Sequence, residues 1–148
     1  MHINLSDAVE SVILTMEAVI FEKELTFRYE IEPDLFVRGN SEQLKQVVMI
    51  LLDNAIKYTN PKGSISLTLA KRHHDILLTE TNTGQGIAPE HLDRIFDRFY
   101  RADPSRSRKH GGYGLGLAIA KSIVEQHKGK LYAKTVPNET TSFYVHLP

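Results

Sequence analysis

Residues 111–121 read GGYGLGLAIAK, which sets four of the chain's nine glycines within six positions before an apolar, helix-like run begins. Glycine loses more backbone freedom on ordering than any other residue. Such a cluster therefore serves a tight turn, a hinge, or a ligand resting on bare main-chain N–H groups, with phosphate the leading candidate. A second pair, Gly84 and Gly86, stands in TNTGQGI (81–87), with Asn82 at the end of a strand-like run. Taken alone, that segment is as readily a plain turn. It is not a dinucleotide fingerprint, because G-x-G-x-x-G is absent and Ala88, Pro89 and Glu90 lead into a polar helix; nor does Gly-Lys-Ser/Thr occur at either glycine segment. Upstream, Asn54, Lys57 and Tyr58 fall at helical-neighbour spacing. Together they offer an amide oxygen for a hard cation, an ammonium for phosphate and a ring for a base or ribose, although the same residues also suit a solvated helix end. Between the glycine segments, Arg98, Arg101, Arg106, Arg108 and Lys109 outnumber Asp97 and Asp103, and Phe96, Phe99 and Tyr100 are interleaved with them. This is either a solvated loop or a lid whose aromatics dock its base while its arm carries charge to a polyanion.

The elements that must hold these groups can be read from periodicity. At 148 residues the chain fits one domain. Equal counts of Lys+Arg and Asp+Glu, 18 each, give no global field for nucleic acid or an anionic membrane. The absence of cysteine removes disulfides and thiolate metal sites. No apolar run approaches the roughly 20 residues that span a bilayer, and no signal-peptide pattern opens the chain, so a soluble domain or a soluble piece of something larger is expected. Ser6 or Asp7 is the expected cap of a first helix through Val9, Val12, Ile13, Met16, Val19 and Ile20. LTFRYEIE (25–32) alternates as a strand, and LFVRG follows as a short one. Ser41 opens a second helix with a core stripe of Leu44, Val47, Val48, Leu51, Leu52, Ala55 and Ile56, ending at TNPKG. A hairpin of SISLTLAK and DILLTETN turns near His73, His74 and Asp75; a last helix covers 114–127, and KLYAKTV and SFYVHL close the chain. Helices and strands mix without regular βαβ alternation. The expected fold is α/β: a two-layer sandwich with a mixed, largely antiparallel sheet packed on helices.

The order NAIKYT, NTGQGI, IFDRFYR and GYGLGLAIAK resembles the N, G1, F and G2 boxes of the ATP-binding catalytic domain of two-component sensor histidine kinases, across almost the whole chain. The resemblance implies a Bergerat-type ATP-binding fold over 1–148 as a single catalytic domain, with an ATP lid at about 97–113. It implies Mg-ATP as ligand and transfer of the γ-phosphoryl group to a histidine on a separate dimerisation domain, for relay to a response regulator. It further implies a monomeric fragment of a homodimeric parent, no nucleic-acid partner, and a place in the cytoplasmic portion of a membrane-bound bacterial kinase. By the same resemblance Asn54 is the Mg²⁺-binding asparagine, Lys57 a phosphate contact and Tyr58 the aromatic near the nucleotide. Asn82 takes the place of the adenine-reading aspartate, beside Gly84, Gly86 and Ile87. Phe96 and Phe99 are F-box aromatics and Arg101 a phosphate contact. Gly112, Gly114, Leu115, Gly116 and Leu117 form the second glycine box, where helix N-terminal N–H groups favour anions.

Four positions depart from the family pattern. Ile50 replaces the first N-box asparagine, Asn82 replaces the aspartate, Glu80 stands where an apolar strand residue is typical, and NETTSF only loosely matches the glycine-threonine box, leaving Thr141 as its candidate. An amide at 82 accepts without charge assistance, for an expected loss of about 1 kcal/mol, or near fivefold in affinity. Because an amide also donates, base discrimination is expected to relax toward guanine. None of the histidines (2, 73, 74, 91, 110, 127, 146) lies in a His-Glu-x-x-Thr-Pro-like stretch, which places the acceptor off this chain. Two other readings compete. One is a degenerate nucleotide-binding or scaffold module. The other is a gyrase-type ATPase, which needs a glutamate where Ile50 stands.

Overall fold

The computed structural model describes residues 1–98 and 115–148. Helix α1 (Leu5–Glu22) starts at Asn4, whose side chain accepts from the Asp7 N–H at 3.0 Å. The cap therefore lies before the expected Ser6 or Asp7. Ser6 instead ties α1 to the strands that follow, its hydroxyl donating to the Glu32 carbonyl at 2.6 Å and accepting from the Leu35 N–H at 3.1 Å. Strand β1 (His2–Asn4), too short to show a period, pairs antiparallel with β3 (Phe36–Arg38) in a two-stranded sheet of its own.

The main sheet has the order β2-β4-β5-β7-β6, built from β2 (Thr26–Ile31), β4 (Ser64–Arg72), β5 (Asp75–Thr83), β6 (Lys130–Val136) and β7 (Thr140–Leu147). Only the β2–β4 pairing is parallel. The β4–β5 turn falls at His73, which takes a left-handed φ of 56°. Helix α2 (Ser41–Tyr58) begins at Asn40, whose side chain accepts from the Gln43 N–H at 2.9 Å, and stops at Thr59, which has turned to an extended conformation. A single turn, α3 (Pro89–Leu92), precedes α4 (Gly116–Gln126).

Alternation in the strands decides which face is covered. Ile65, Leu67 and Leu69 of β4, Ile76 and Leu78 of β5, and Phe143, Val145 and Leu147 of β7 are all buried on one face. Leu44, Val47, Val48, Leu51, Leu52 and Ala55 of α2 meet them, each of the larger side chains contributing roughly 1.5–3 kcal/mol by leaving water. Helix α2 lies between α1 and α4 and contacts both. The opposite face is half-buried and richer in hydroxyls, with Thr81 and Ser142 bonded across β5 and β7 at 2.8 Å. This is the expected two-layer α/β sandwich, with α2 as the central covering element.

Candidate functional site

The last two turns of α2 form one wall of the site. Asn54, Lys57 and Tyr58 lie half-buried on the flank of the core stripe. Lys57 Nζ sits 3.1 Å from Asp53 Oδ2 one turn back, a surface pair of about 0.3–0.5 kcal/mol that holds the ammonium near solvent.

The loop after β5 is bound on two sides. Towards the β6–β7 turn, the Gly84 N–H donates to Glu139 O (3.1 Å), the Asn138 N–H donates to Gln85 O (2.9 Å), and the Ile87 N–H donates to Thr135 Oγ1 (3.1 Å). Towards α2, the Asn60 N–H donates to Thr83 O (3.3 Å) and the Thr83 hydroxyl to Asn60 Oδ1 (2.7 Å). A Cβ at Gly84 would lie 2.9 Å from Tyr58 O, and one at Gly86, whose φ is 88°, would lie 2.5 Å from Thr135 Oγ1. These two glycines are thus demanded by the approach of the loop to its own scaffold. Asn60 and Thr135, its anchors, carried no local signal in the sequence.

At the foot of this loop, Asn82 and Thr141 face each other across β5 and β7, both buried. Among the described residues the Asn82 amide reaches only Thr83 O at 3.5 Å, the edge of a hydrogen bond, and Thr141 Oγ1 lies 3.4 Å from Thr135 Oγ1. One pleat along the same face is Glu80, 0 % exposed, with neither carboxyl oxygen partnered. Burial pushes its carboxyl well above the ordinary 4.5. The one sequence signal for it was its departure from the family pattern, in which an apolar strand residue is typical at that place.

Helix α4 closes the arrangement from the far side. Its N-cap position, Leu115, makes no side-chain cap bond, so the N–H groups of its first turn have no side-chain acceptor there. A Cβ on Gly116 would meet Ile50 Cγ2 at 3.5 Å, an ordinary contact, so α4 begins beside α2 one turn before Asn54. Leu117 packs half-buried on the core. Phe96 docks edge-on to Phe143, with centroids 6.1 Å apart, and Lys121 Nζ lies 5.3 Å from its ring centre. Phe99, Arg101, Gly112 and Gly114 lie outside the described residues, as does the expected lid apart from Asp97 and Arg98. The structure therefore sets Gly84 against Tyr58 at the C-terminal end of α2 and Gly116 against Ile50 in the middle of that helix, while Gly86 lies against Thr135 of β6 and Asn82 faces Thr141 of β7.

Residues 39–148 match the family described as histidine kinase-, DNA gyrase B-, and HSP90-like ATPase. The chain is 41% identical over 146 residues to sensor histidine kinase CusS of Escherichia coli O6:H1, covering 99% of this chain and 30% of that protein. It spans about a third or less of the length of such curated relatives. Among solved structures, the nucleotide-free catalytic domain of histidine kinase ThkA superposes with a TM-score of 0.87 at 28% identity, covering 100% of this chain and 94% of that one. Histidine kinase ThkA in complex with response regulator protein TrrA gives a TM-score of 0.83 at 27% identity, with 100% of this chain and 41% of that one covered.

Proposed function

Since the chain belongs to the histidine kinase-, DNA gyrase B-, and HSP90-like ATPase family, we propose that it is the ATP-binding catalytic domain of a sensor histidine kinase. In this reading residues 1–148 form one domain with an ATP lid at about 97–113. It transfers the γ-phosphoryl group of ATP to a histidine on the dimerisation domain of a homodimeric parent, for relay to a response regulator. The domain would work on the cytoplasmic side of a membrane-bound parent; among the described residues no helix is long and apolar enough to cross a membrane. The observation that carries the proposal is the convergence on α2. Its carbonyl at Tyr58 abuts the first glycine loop, and its Ile50 abuts the start of the helix that follows the second.

The residues present fit a nucleotide with a hard divalent ion. Among the described residues no group of three His, Cys, Asp or Glu is placed to hold a metal, so Mg²⁺ would be shared between the Asn54 amide oxygen, phosphate oxygens and water, as this ion commonly is. When bound, the ion would neutralise charge on the β- and γ-phosphoryl oxygens. Lys57 and Arg101 would orient the phosphates. The N–H groups of Leu115, Gly116 and Leu117 would supply fixed donors at a helix start, and the sequence resemblance assigns Gly112 and Gly114, outside the described residues, to the same phosphate site. Tyr58, Asn82, Gly84, Gly86, Ile87, Phe99 and Thr141 would enclose the base and ribose. What the chain provides is positioning and electrostatics for in-line transfer, with the nucleophile brought from outside.

Calorimetric titration with ADP and a non-hydrolysable ATP, with and without Mg²⁺, tests this. The ATP analogue is expected to bind about tenfold more tightly with the ion present, and Asn54→Ala to erase that difference while leaving ion-free ADP binding within a few fold. Binding that ignores both Mg²⁺ and Asn54 would remove the basis of the assignment.

A further inference from the structure

Glu80 is the residue of the inner face that packing does not account for. On β5 it follows Ile76 and Leu78, and across the two ladders it meets Leu67 and Phe143, all of them buried. An apolar side chain there would leave nothing unsatisfied, whereas the carboxyl has lost water and gained no partner. Its setting along the strand is not apolar, however. Among the described residues five buried ones are polar, and three of these, Glu80, Asn82 and Thr141, are contiguous: Asn82 is the next inward residue on β5 and Thr141 lies opposite Asn82 on β7. Asn82 and Thr141 border the glycine loop: Asn82 lies two residues before Gly84, whose N–H donates to Glu139 O two residues before Thr141, so the polar group stands between that loop and the apolar core.

We propose that Glu80 is a specificity-determining residue of the base pocket, which reads the amino-bearing edge of adenine together with Asn82. In family terms the carboxyl has moved one pleat deeper, from position 82 to position 80. Held neutral by burial, it presents one O–H donor beside one carbonyl acceptor. Adenine presents N1 as an acceptor beside N6–H as a donor, so the two edges pair through two parallel hydrogen bonds, and the Asn82 carbonyl takes the second N6–H. The carboxyl left without partners in the fold is satisfied by the ligand.

The inference rests on the nucleotide reading above, and the test separates the two. The chain is titrated with ADP and with benzimidazole riboside diphosphate, which keeps the sugar and phosphates but lacks the adenine edge. Glu80→Leu is expected to weaken ADP about tenfold and to leave the benzimidazole ligand unchanged, while Glu80→Gln, with its own donor and acceptor side by side, stays within about threefold of the parent. Adding Asn82→Asp to Glu80→Leu is expected to restore ADP binding by returning the carboxyl to the outer position. Thermal unfolding of each variant shows that the fold persists. ADP binding by Glu80→Leu as tight as the parent's, or an equal loss for both ligands, overturns the role of Glu80 and leaves the nucleotide reading standing. If the parent chain binds neither diphosphate, the nucleotide reading is overturned and this inference with it.

Discussion

The proton on Glu80 couples folding to pH. Its carboxyl is pushed well above 4.5 by burial, so the folded chain keeps a proton that the unfolded chain has released. Below the unfolded value both states are protonated and there is no penalty. As pH rises from there through the folded value, the unfolded state gains and stability falls. Urea midpoints measured from pH 4 upward should therefore show parent and Glu80→Gln closest at the acid end and separating steadily as pH rises; parallel curves would mean the carboxyl is ionised or hydrated in the fold. At pH 7, Glu80→Leu should stabilise the chain by about 1–3 kcal/mol, because an unsatisfied buried polar group is replaced by one of similar size that needs no partner. The sequence showed Glu80 as a departure from the family pattern, where an apolar strand residue is typical. It could not show that both oxygens lack a partner, since any donors would come from β4, β7 or α2, whose registers against β5 are set by the assembled sheet. Asn82 was legible for the opposite reason: it stands at the end of a strand, before glycines, where its position alone marks it.

Long elements with strong periods were read nearly to their ends, because burial of one face is a property of the local pattern. Helix α2 and strand β6 have the expected starts, and β4 and β5 differ from the expectation by a single residue at one end. What escaped were links between elements. His127, at the end of α4, donates from Nδ1 to Ile123 O at 2.8 Å, since a carbonyl can only accept; its Nε2 is then free to accept the Asn40 N–H at 3.1 Å, at the start of α2. Nothing near His127 in the sequence announces a partner so far away. The glycines divide in the same manner. Gly86, with its left-handed φ and Thr135 Oγ1 at 2.5 Å from a built Cβ, is required by the fold, so Gly86→Ala should cost about 1–3 kcal/mol whether or not ligand is present. Gly116 has ordinary clearance and opens a helix, so Gly116→Ala should leave stability unchanged or raise it by up to about 1 kcal/mol. If a ligand approaches that backbone, the same variant should nevertheless weaken ATP-analogue binding severalfold. Comparing melting curves with titrations for this pair separates glycine kept for the scaffold from glycine kept for the ligand; equal behaviour of the two variants would dissolve the distinction.

For the molecule as a whole, the question is where the phosphoryl group goes. A gyrase-type ATPase activates water with a carboxylate one turn before the metal-binding asparagine, and here that place is taken by Ile50, a partly buried hydrocarbon packed on the core and beside Gly116. It can neither accept a proton nor orient water, and no other carboxylate is aligned there by the helix: Asp53, the nearest, is engaged with Lys57 at 3.1 Å. No stretch of the sequence resembles His-Glu-x-x-Thr-Pro either. His127 has both ring nitrogens engaged in the fold, and the His146 ring stacks on Tyr132. In the proposed reading, a sandwich with Ile50 at that place on α2 would take its nucleophile from another domain. Incubated alone with radiolabelled Mg-ATP, the chain should therefore release phosphate no faster than buffer and acquire no acid-labile label. When a separate dimerisation domain carrying its histidine is added, label should appear on that domain, require Mg²⁺, and fall at least tenfold with Asn54→Ala. Hydrolysis by the isolated chain would return the gyrase-like reading, because a water-activating base would then have to exist within it. Tight ATP binding with no transfer to any supplied histidine would instead favour a nucleotide-sensing module. In that case Ile50 and Asn82, where the chain departs from the family pattern, would be the first places to look for the lost turnover.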